Sequence, residues 1–536
     1  MKRLVIAMAF GLIFPRLLVA QGADIDALLG DSWYGLYLNG EKSGYAFMST
    51  AKDEQGRVTL VQDARFRIVM EGVRQELQIY ACRVYAPDGA LESIESYFVD
   101  PGGKKNTFNA QIVDDHLVLK TDVGGVGDEI TLPKPAETLT DALKHERWVM
   151  DRPQPGDALQ FTVFEPMFQR ELTGLSHILE VDERMLEGVT TRVYKIKMVL
   201  QEMGLESVSY VAEDGTVLED IAAGMFTMRL EPEEVAKDVD YVNDVIVSNA
   251  ALVDRRIENP RDRDTLRLIL RGPLTESHIF NDERQFVADA GDSVVFVAKR
   301  VALDDFTPAH VPVDNPSVAQ WLEPTPFVQC ADPRLVSKAK EIAGAETDAV
   351  KVSNLLCEWV NKNMRSTYSA RLSNAIEVLE TLEGDCTEHS ILYVGLARAA
   401  GLPAREVAGV VYVDGVHPGF YFHQWAKAWV GKWIDVDPTF NQPNADVTHI
   451  KLAEGDLFAQ SRIIPLIGHL QIEYVPNESA APETSSPATD AAPQEQAHDD
   501  ATAPGQQSMT NEPAPGEPAP PATAPLAGAA ASGGAS

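Results

Sequence analysis

Cysteine is scarce in this chain. Cys82, Cys330, Cys357 and Cys386 are the only four among 536 residues. So few thiols exclude the disulfide scaffold that staples small secreted domains. Cys330 and Cys357 flank a helical stretch and could pair, which would leave Cys386 free. Cys82 sits in a strand-like segment and is expected in the core. Neither a Cys-x-x-Cys nor a His-Glu-x-x-His spacing occurs, so no metal site is read from the sequence. Positive charge is also short. Lys and Arg number 46 against 80 Asp and Glu, a formal net charge of −34. Such a balance argues against nucleic acid or an anionic membrane surface as a partner. It suits solubility. An unbroken apolar run of about 20 residues, the length of a membrane-spanning helix, is missing too.

Both ends of the chain read as something other than folded domain. Residues 1–20 begin with Lys2-Arg3, continue with the apolar run Leu4 to Phe14, and end with Leu17-Leu18-Val19-Ala20. This is the pattern of a secretory signal peptide, cleaved after Ala20 or Gly22, although Pro15-Arg16 interrupts its apolar part. The expectation is a periplasmic or secreted protein with no stable membrane span after signal removal. Residues 477–536 are rich in Pro, Ala, Ser, Thr, Gly and Gln and contain no Lys or Arg. A segment so poor in large apolar side chains cannot offset its ordering entropy, so a disordered acidic tail is expected.

Between them, apolar residues at 45% are ample for packed cores. Residues 24–235 look β-rich and antiparallel. Trp33 to Leu38 and Gly44 to Met48 flank a turn at Asn39-Gly40 and read as a hairpin. Val84-Tyr85-Ala86-Pro87-Asp88-Gly89 resembles Tyr210-Val211-Ala212-Glu213-Asp214-Gly215, which suggests two related units, roughly 30–130 and 150–235. Asp-Gly hairpins are common, however, so one broad antiparallel sheet is the reading kept. Residues 236–320 read as a small β domain behind a charged linker at 254–264, with strands at Thr265–Leu270 and Asp292–Ala298. Residues 325–475 read as the chemical core. Asp332-Pro333 starts a helix. A second helix, Asp348 to Met364, carries Val352, Leu355, Leu356, Trp359 and Val360 on one face. Tyr368 follows in a loop.

Gly384-Asp385-Cys386-Thr387-Glu388-His389 is a turn that opens a helix, since Ile391 to Ala397 continues at helical spacing to Gly401-Leu402-Pro403. A thiol in a helix's first turn meets unsatisfied N–H groups and a favourable dipole, which lower its pKa and raise its thiolate fraction. The alternative is a structural cysteine packed under the helix. Phe422 to Val430 and Trp433 to Thr439 read as an antiparallel hairpin. A two-residue turn would put His423 and Asp437 on opposite faces, and a three-residue turn, Val430 to Lys432, puts them on one. The second register is expected. It places Trp425 beside His423 and turns Gln424 away. A thiol nucleophile needs a base, and the base a third group to orient it. Cys386, His423 and Asp437 can fill those roles in that order. Asp385, Glu388 and His389 are expected to shape and pack the helix's first turn.

The segments Gly384-Asp385-Cys386-Thr387-Glu388-His389-Ser390, Ala397 to Arg405, His423-Gln424-Trp425 and Trp433-Ile434-Asp435-Val436-Asp437-Pro438-Thr439 resemble the transglutaminase-like superfamily in its bacterial form. The resemblance covers roughly residues 325–445. It implies an α+β fold with a papain-like core, preceded here by the β-rich N-terminal domains. It also implies Cys386 as nucleophile, His423 as base and Asp437 as orienting carboxylate. Thr387 stands where animal transglutaminases carry Trp. The likeness is therefore to a superfamily of proteases, amidases and acyltransferases, and not to the crosslinking enzymes as such. The expected activity is an exported cysteine enzyme acting on a protein or peptide amide through a thioester, by hydrolysis or acyl transfer, with no cofactor and no metal. The alternative is a catalytically silent cell-envelope binding or assembly protein that keeps the fold.

Overall fold

The computed structural model describes residues 25–476 except 71, 187, 241–248, 254, 290–292 and 369, so the expected signal peptide and tail lie outside the described residues. Strands make up 47% of the described residues and helices 18%, so β-sheet dominates the α+β architecture. Most of that strand content is one antiparallel sheet of fourteen strands. Its first eight strands, from Gly30–Leu38 to Val126–Pro133, step outward one after another. The other six, from Ala158–Glu165 to Phe226–Leu230, step back inward. The last then pairs with the first, from Tyr34↔Leu230 to Leu38↔Phe226. The two stretches of resembling sequence are thus halves of one continuous sheet. Alternation with period two sets its faces. Strand Val58–Met70 buries Val58, Leu60, Ala64, Phe66 and Ile68, and turns Asp63, Arg65 and Arg67 outward. The buried face joins an apolar core that continues without a break into residues 408–474, with Phe168 edge-on to Phe458 at 5.3 Å.

The small β domain is not built from 236–320 alone. Its sheet runs Gln285–Asp289, Val294–Lys299, Thr265–Arg271 and then Gln471–Val475, a strand from the far end of the 325–475 segment. Burying Ile472 and Tyr474 beside Leu268 and Leu270 makes that last strand part of the domain.

The core opens with the helices α1 (Pro333–Ala343), α2 (Ala349–Asn363), α3 (Ala375–Thr381) and α4 (Cys386–Ala399). Each starts where a side chain accepts a backbone N–H: Asp332 from Arg334, Asp348 from Lys351, Asn374 from Glu377 and Asp385 from Thr387. Caps of this kind stabilise a helix by about 1 kcal/mol each. Helix α4 is buried from Thr387 to Arg398, the mark of a helix enclosed on all sides. In α2, Val352, Leu356 and Val360 are buried, whereas Leu355 is 38% exposed and leaves the expected apolar face. Beside the helices lie β1 (Ala404–Val413), β2 (Gly419–Trp429), β3 (Trp433–Val436) and β4 (His449–Glu454). Strand β2 is central to this sheet, and Ala251–Leu252 forms its far edge.

All four cysteines are free. Cys330 Sγ faces the Leu322 carbonyl at 3.3 Å, and Cys357 Sγ faces that of Asp437 at 3.6 Å, so the suggested disulfide does not form. Cys82 is half-buried and not a core residue. Among the described residues no helix is long and apolar enough to cross a membrane.

Candidate active site

The site begins with the entry to α4. A Cβ on Gly384 would lie 2.2 Å from the Glu388 Cβ, so only glycine lets the chain turn in so tightly. Asp385 then caps the helix, and the Glu388 carboxylate reaches back 2.9 Å to the Asp385 N–H. His389 places Nδ1 2.7 Å from the Asp385 carbonyl, and burial holds its imidazole below the usual histidine range. These three side chains are consumed in fixing the turn. Cys386, the first helical residue, is left half-buried with its N–H at a position that has no intrahelical acceptor.

The hairpin β2–β3 brings up the other two groups. Trp429 pairs with Trp433, so the turn is Val430 to Lys432 and the register places His423 and Asp437 on one face. A Cβ on Gly431 would meet the Thr307 carbonyl at 2.9 Å, and its φ of +118° suits glycine. His423 Nε2 lies 2.9 Å from Asp437 Oδ2, and the Cys386 sulfur is near enough to act on the charge of the ring. Phe440 stacks on the imidazole at 5.0 Å and Trp425 at 6.1 Å, which fixes the ring plane. Gln424 points the other way, to Glu406. Burial disfavours charge on His423. The Asp437 carboxylate and the nearby Cys386 sulfur outweigh it and raise its pKa to about 10.

Asp437 is fully buried and heavily solvated by protein. Its Oδ1 accepts the N–H groups of Thr439 (2.7 Å) and Phe440 (3.2 Å). Its Oδ2 faces His423 and also His449, whose Nε2 lies 2.9 Å away. Burial alone would raise the Asp437 pKa, but the His423 charge and the bonds from both imidazoles hold it well below the usual carboxylate range. His449, on β4, is 0% exposed. Its Nδ1 lies 3.3 Å from the Asp446 carbonyl. The Asp446 carboxylate is held by Arg261 at 2.7 Å, Gln442 at 2.7 Å and the Thr448 N–H at 2.8 Å. His449 has no sequence motif around it. The only signal for it was a histidine opening an alternating strand. His423, Asp437 and His449 bring potential ligand atoms within 4.8 Å of one another. The facing atoms are already engaged in the hydrogen bonds above, so the cluster reads as a hydrogen-bonded chain and not as a metal cage.

Beyond Trp425 the same sheet face is charged. Trp425 Nε1 donates to Asp435 at 3.0 Å, and Lys427 lies between Asp282 (2.6 Å) and Glu454 (3.0 Å). Lys427 and its two carboxylate partners line a cavity of about 520 Å³ together with Trp429 and Trp433. Tyr368, 47% exposed, lies in the loop before α3, where its carbonyl accepts from the Gln75 side chain.

A thiol, an imidazole and a carboxylate are therefore neighbours at the entry to α4. Residues 336–438 match the sequence profile of the Transglutaminase-like superfamily. The chain carries a transglutaminase-like domain. That domain holds all three side chains. An uncharacterized protein of Haemophilus influenzae is 33% identical over 114 residues, which take in 20% of this chain and 31% of the relative's length. Among solved structures, a candidate cysteine protease of Cytophaga hutchinsonii is 17% identical, with 39% of this chain and 82% of that one covered, at a TM-score of 0.27. A β-barrel-like protein of unknown function from Brucella abortus is 13% identical, with 38% and 94% covered, at a TM-score of 0.28.

Proposed function

We propose that the transglutaminase-like domain is a cysteine enzyme that breaks or transfers protein or peptide amide bonds through a thioester on Cys386. The observation that carries this reading is the His423 ring, held by Asp437 at 2.9 Å and near enough to the Cys386 sulfur for that sulfur to favour its charged form. His423 takes the thiol proton and the sulfur attacks the amide carbonyl. The Cys386 N–H at the helix start stabilises the oxyanion. The imidazolium then protonates the leaving amine, and the C–N bond breaks to leave a thioester. Water yields the acid, and a second amine yields a new amide. Asp437 keeps the ring oriented and stabilises its charge throughout. The basic start and apolar run of residues 1–20 support export of the enzyme.

The test is alkylation of Cys386 by iodoacetamide at pH 6, read by peptide mass mapping. Wild type is expected to react at least about tenfold faster than His423→Ala, because the free-thiol pKa of about 8.5 leaves little thiolate there. Equal rates would leave a silent binding protein as the better reading. Incubation of an extract with wild type and with Cys386→Ala then separates hydrolysis from transfer. New peptide termini mean hydrolysis, and new isopeptide links mean transfer.

A further inference from the structure

Two cations inside the fourteen-stranded region form no ion pair with a described carboxylate. Lys144 and Arg147 stand three residues apart in the helix Lys144–Met150, which puts them on one face. They are 5% and 2% exposed. The Lys144 ammonium lies 3.5 Å over the Phe161 ring. Arg147 buries Nε and Nη1 with no acceptor on either among the described residues. A buried cation with no carboxylate in direct contact is unfavourable, and orphaned buried donors of this kind call for an ion or water to satisfy them. Their isolation stands out in a chain with 80 acidic residues.

Both side chains line one cavity of about 100 Å³, with Thr140, Gln160, Asp141 and Asp151. Asp141 is already engaged by the N–H and hydroxyl of Thr138 and by the N–H of Thr162. Asp151 is exposed. At roughly 30 Å³ per water, the space suits about three waters or one oxyanion of a few heavy atoms. A guanidinium fork beside an ammonium is the donor set that carboxylates and phosphates select.

We propose that Lys144 and Arg147 form an anion site that takes one small oxyanion, a carboxylate or a phosphate group, against the large sheet. Burial pulls the Lys144 pKa down to about 8 against the pull of the Glu146, Glu137 and Asp141 charges, and lowers that of Arg147 against that of Asp151, so the nearby carboxylates do not make up for the lost water. The site is separate from Cys386 and stands whether or not the thiol turns over.

The full chain is melted in sodium phosphate, sodium acetate and sodium chloride at matched ionic strength. Phosphate or acetate is expected to raise Tm by a few degrees and to saturate, while chloride does not. The more effective of the two identifies the source of the oxyanion. Arg147→Met and Lys144→Met are expected to lose the response. Without added oxyanion they melt no lower than wild type, because each removes an uncompensated buried charge. In wild type, the effective anion also protects Arg147 from phenylglyoxal, read by mass mapping, so the test survives a variant that fails to fold. Failure of both oxyanions to exceed chloride, a response that persists in both variants, or phenylglyoxal labelling that the anion leaves unchanged overturns the proposal and leaves a cavity that holds water only.

Discussion

Replacing His449 with alanine removes one of the four described hydrogen-bond donors to Asp437 and leaves Oδ2 with His423 alone. Alkylation of Cys386 is expected to slow by about tenfold, the effect of losing about 1.4 kcal/mol of positioning at a charged group. His449→Gln, which keeps a donor, should recover part of it. The pH dependence of stability has a defined sign. His423 is raised to about 10 from about 6.5 in the unfolded chain. Its contribution is therefore full below about pH 6.5 and lost as pH rises from there through about 10. Tm is expected to fall across that window in wild type and to fall less in His423→Gln. Asp437 has the opposite sense. Its depressed pKa adds stability above about pH 4, lost only as pH falls through the folded value, so mild acid should not loosen the site. At this scale the trio was legible because each member sits in a local pattern: a capped turn, an aromatic strand, an Asp-Pro. His449 was not, because only a distant strand pairing carries it to Asp437.

Among the elements, the crossing of β1 with its neighbours is the tightest part of the site. Gly409 pairs with His423 on one side and Lys451 on the other. A Cβ there would lie 1.9 Å from the Ile450 carbonyl oxygen. Gly409→Ala is expected to lose about 3 kcal/mol or more, read as a lower urea midpoint at unchanged slope, because backbone has to move. The β2–β3 register could be read from the sequence, since the length of the turn around Gly431 decides which side chains share a face. The exposure of Leu355 could not, because helical spacing names a face without saying how wide its covering is. The Cys330–Cys357 pairing failed for a related reason: positions at the two ends of a helical stretch say nothing about which way each sulfur points.

For the whole molecule, chain order and spatial order diverge. Strand Gln471–Val475 returns to pair with Thr265–Arg271 across some 200 residues of sequence, and the first strand of the large sheet meets its last. Neither closure leaves a local mark, which is why the sequence left one sheet or two related units open and read the small β domain as ending at 320. Ending the chain after Leu470 is expected to lower Tm by several degrees or to give insoluble protein, since Ile472 and Tyr474 leave the core. Ending it after Pro476 should keep the wild-type melting profile.

The large sheet also reaches the loop that leads to the thiol. Gln75 accepts the Ala370 N–H at 2.7 Å and donates to the Tyr368 carbonyl at 3.1 Å. Asn374, the cap of α3, donates to the Val123 carbonyl, and Lys104 meets Glu377 at 2.8 Å. The approach to Cys386 is therefore partly foreign to the segment that carries it. A fragment cut down to residues 325–475 would bring the Cys386 thiol along and leave behind the hand that steadies the approach to it.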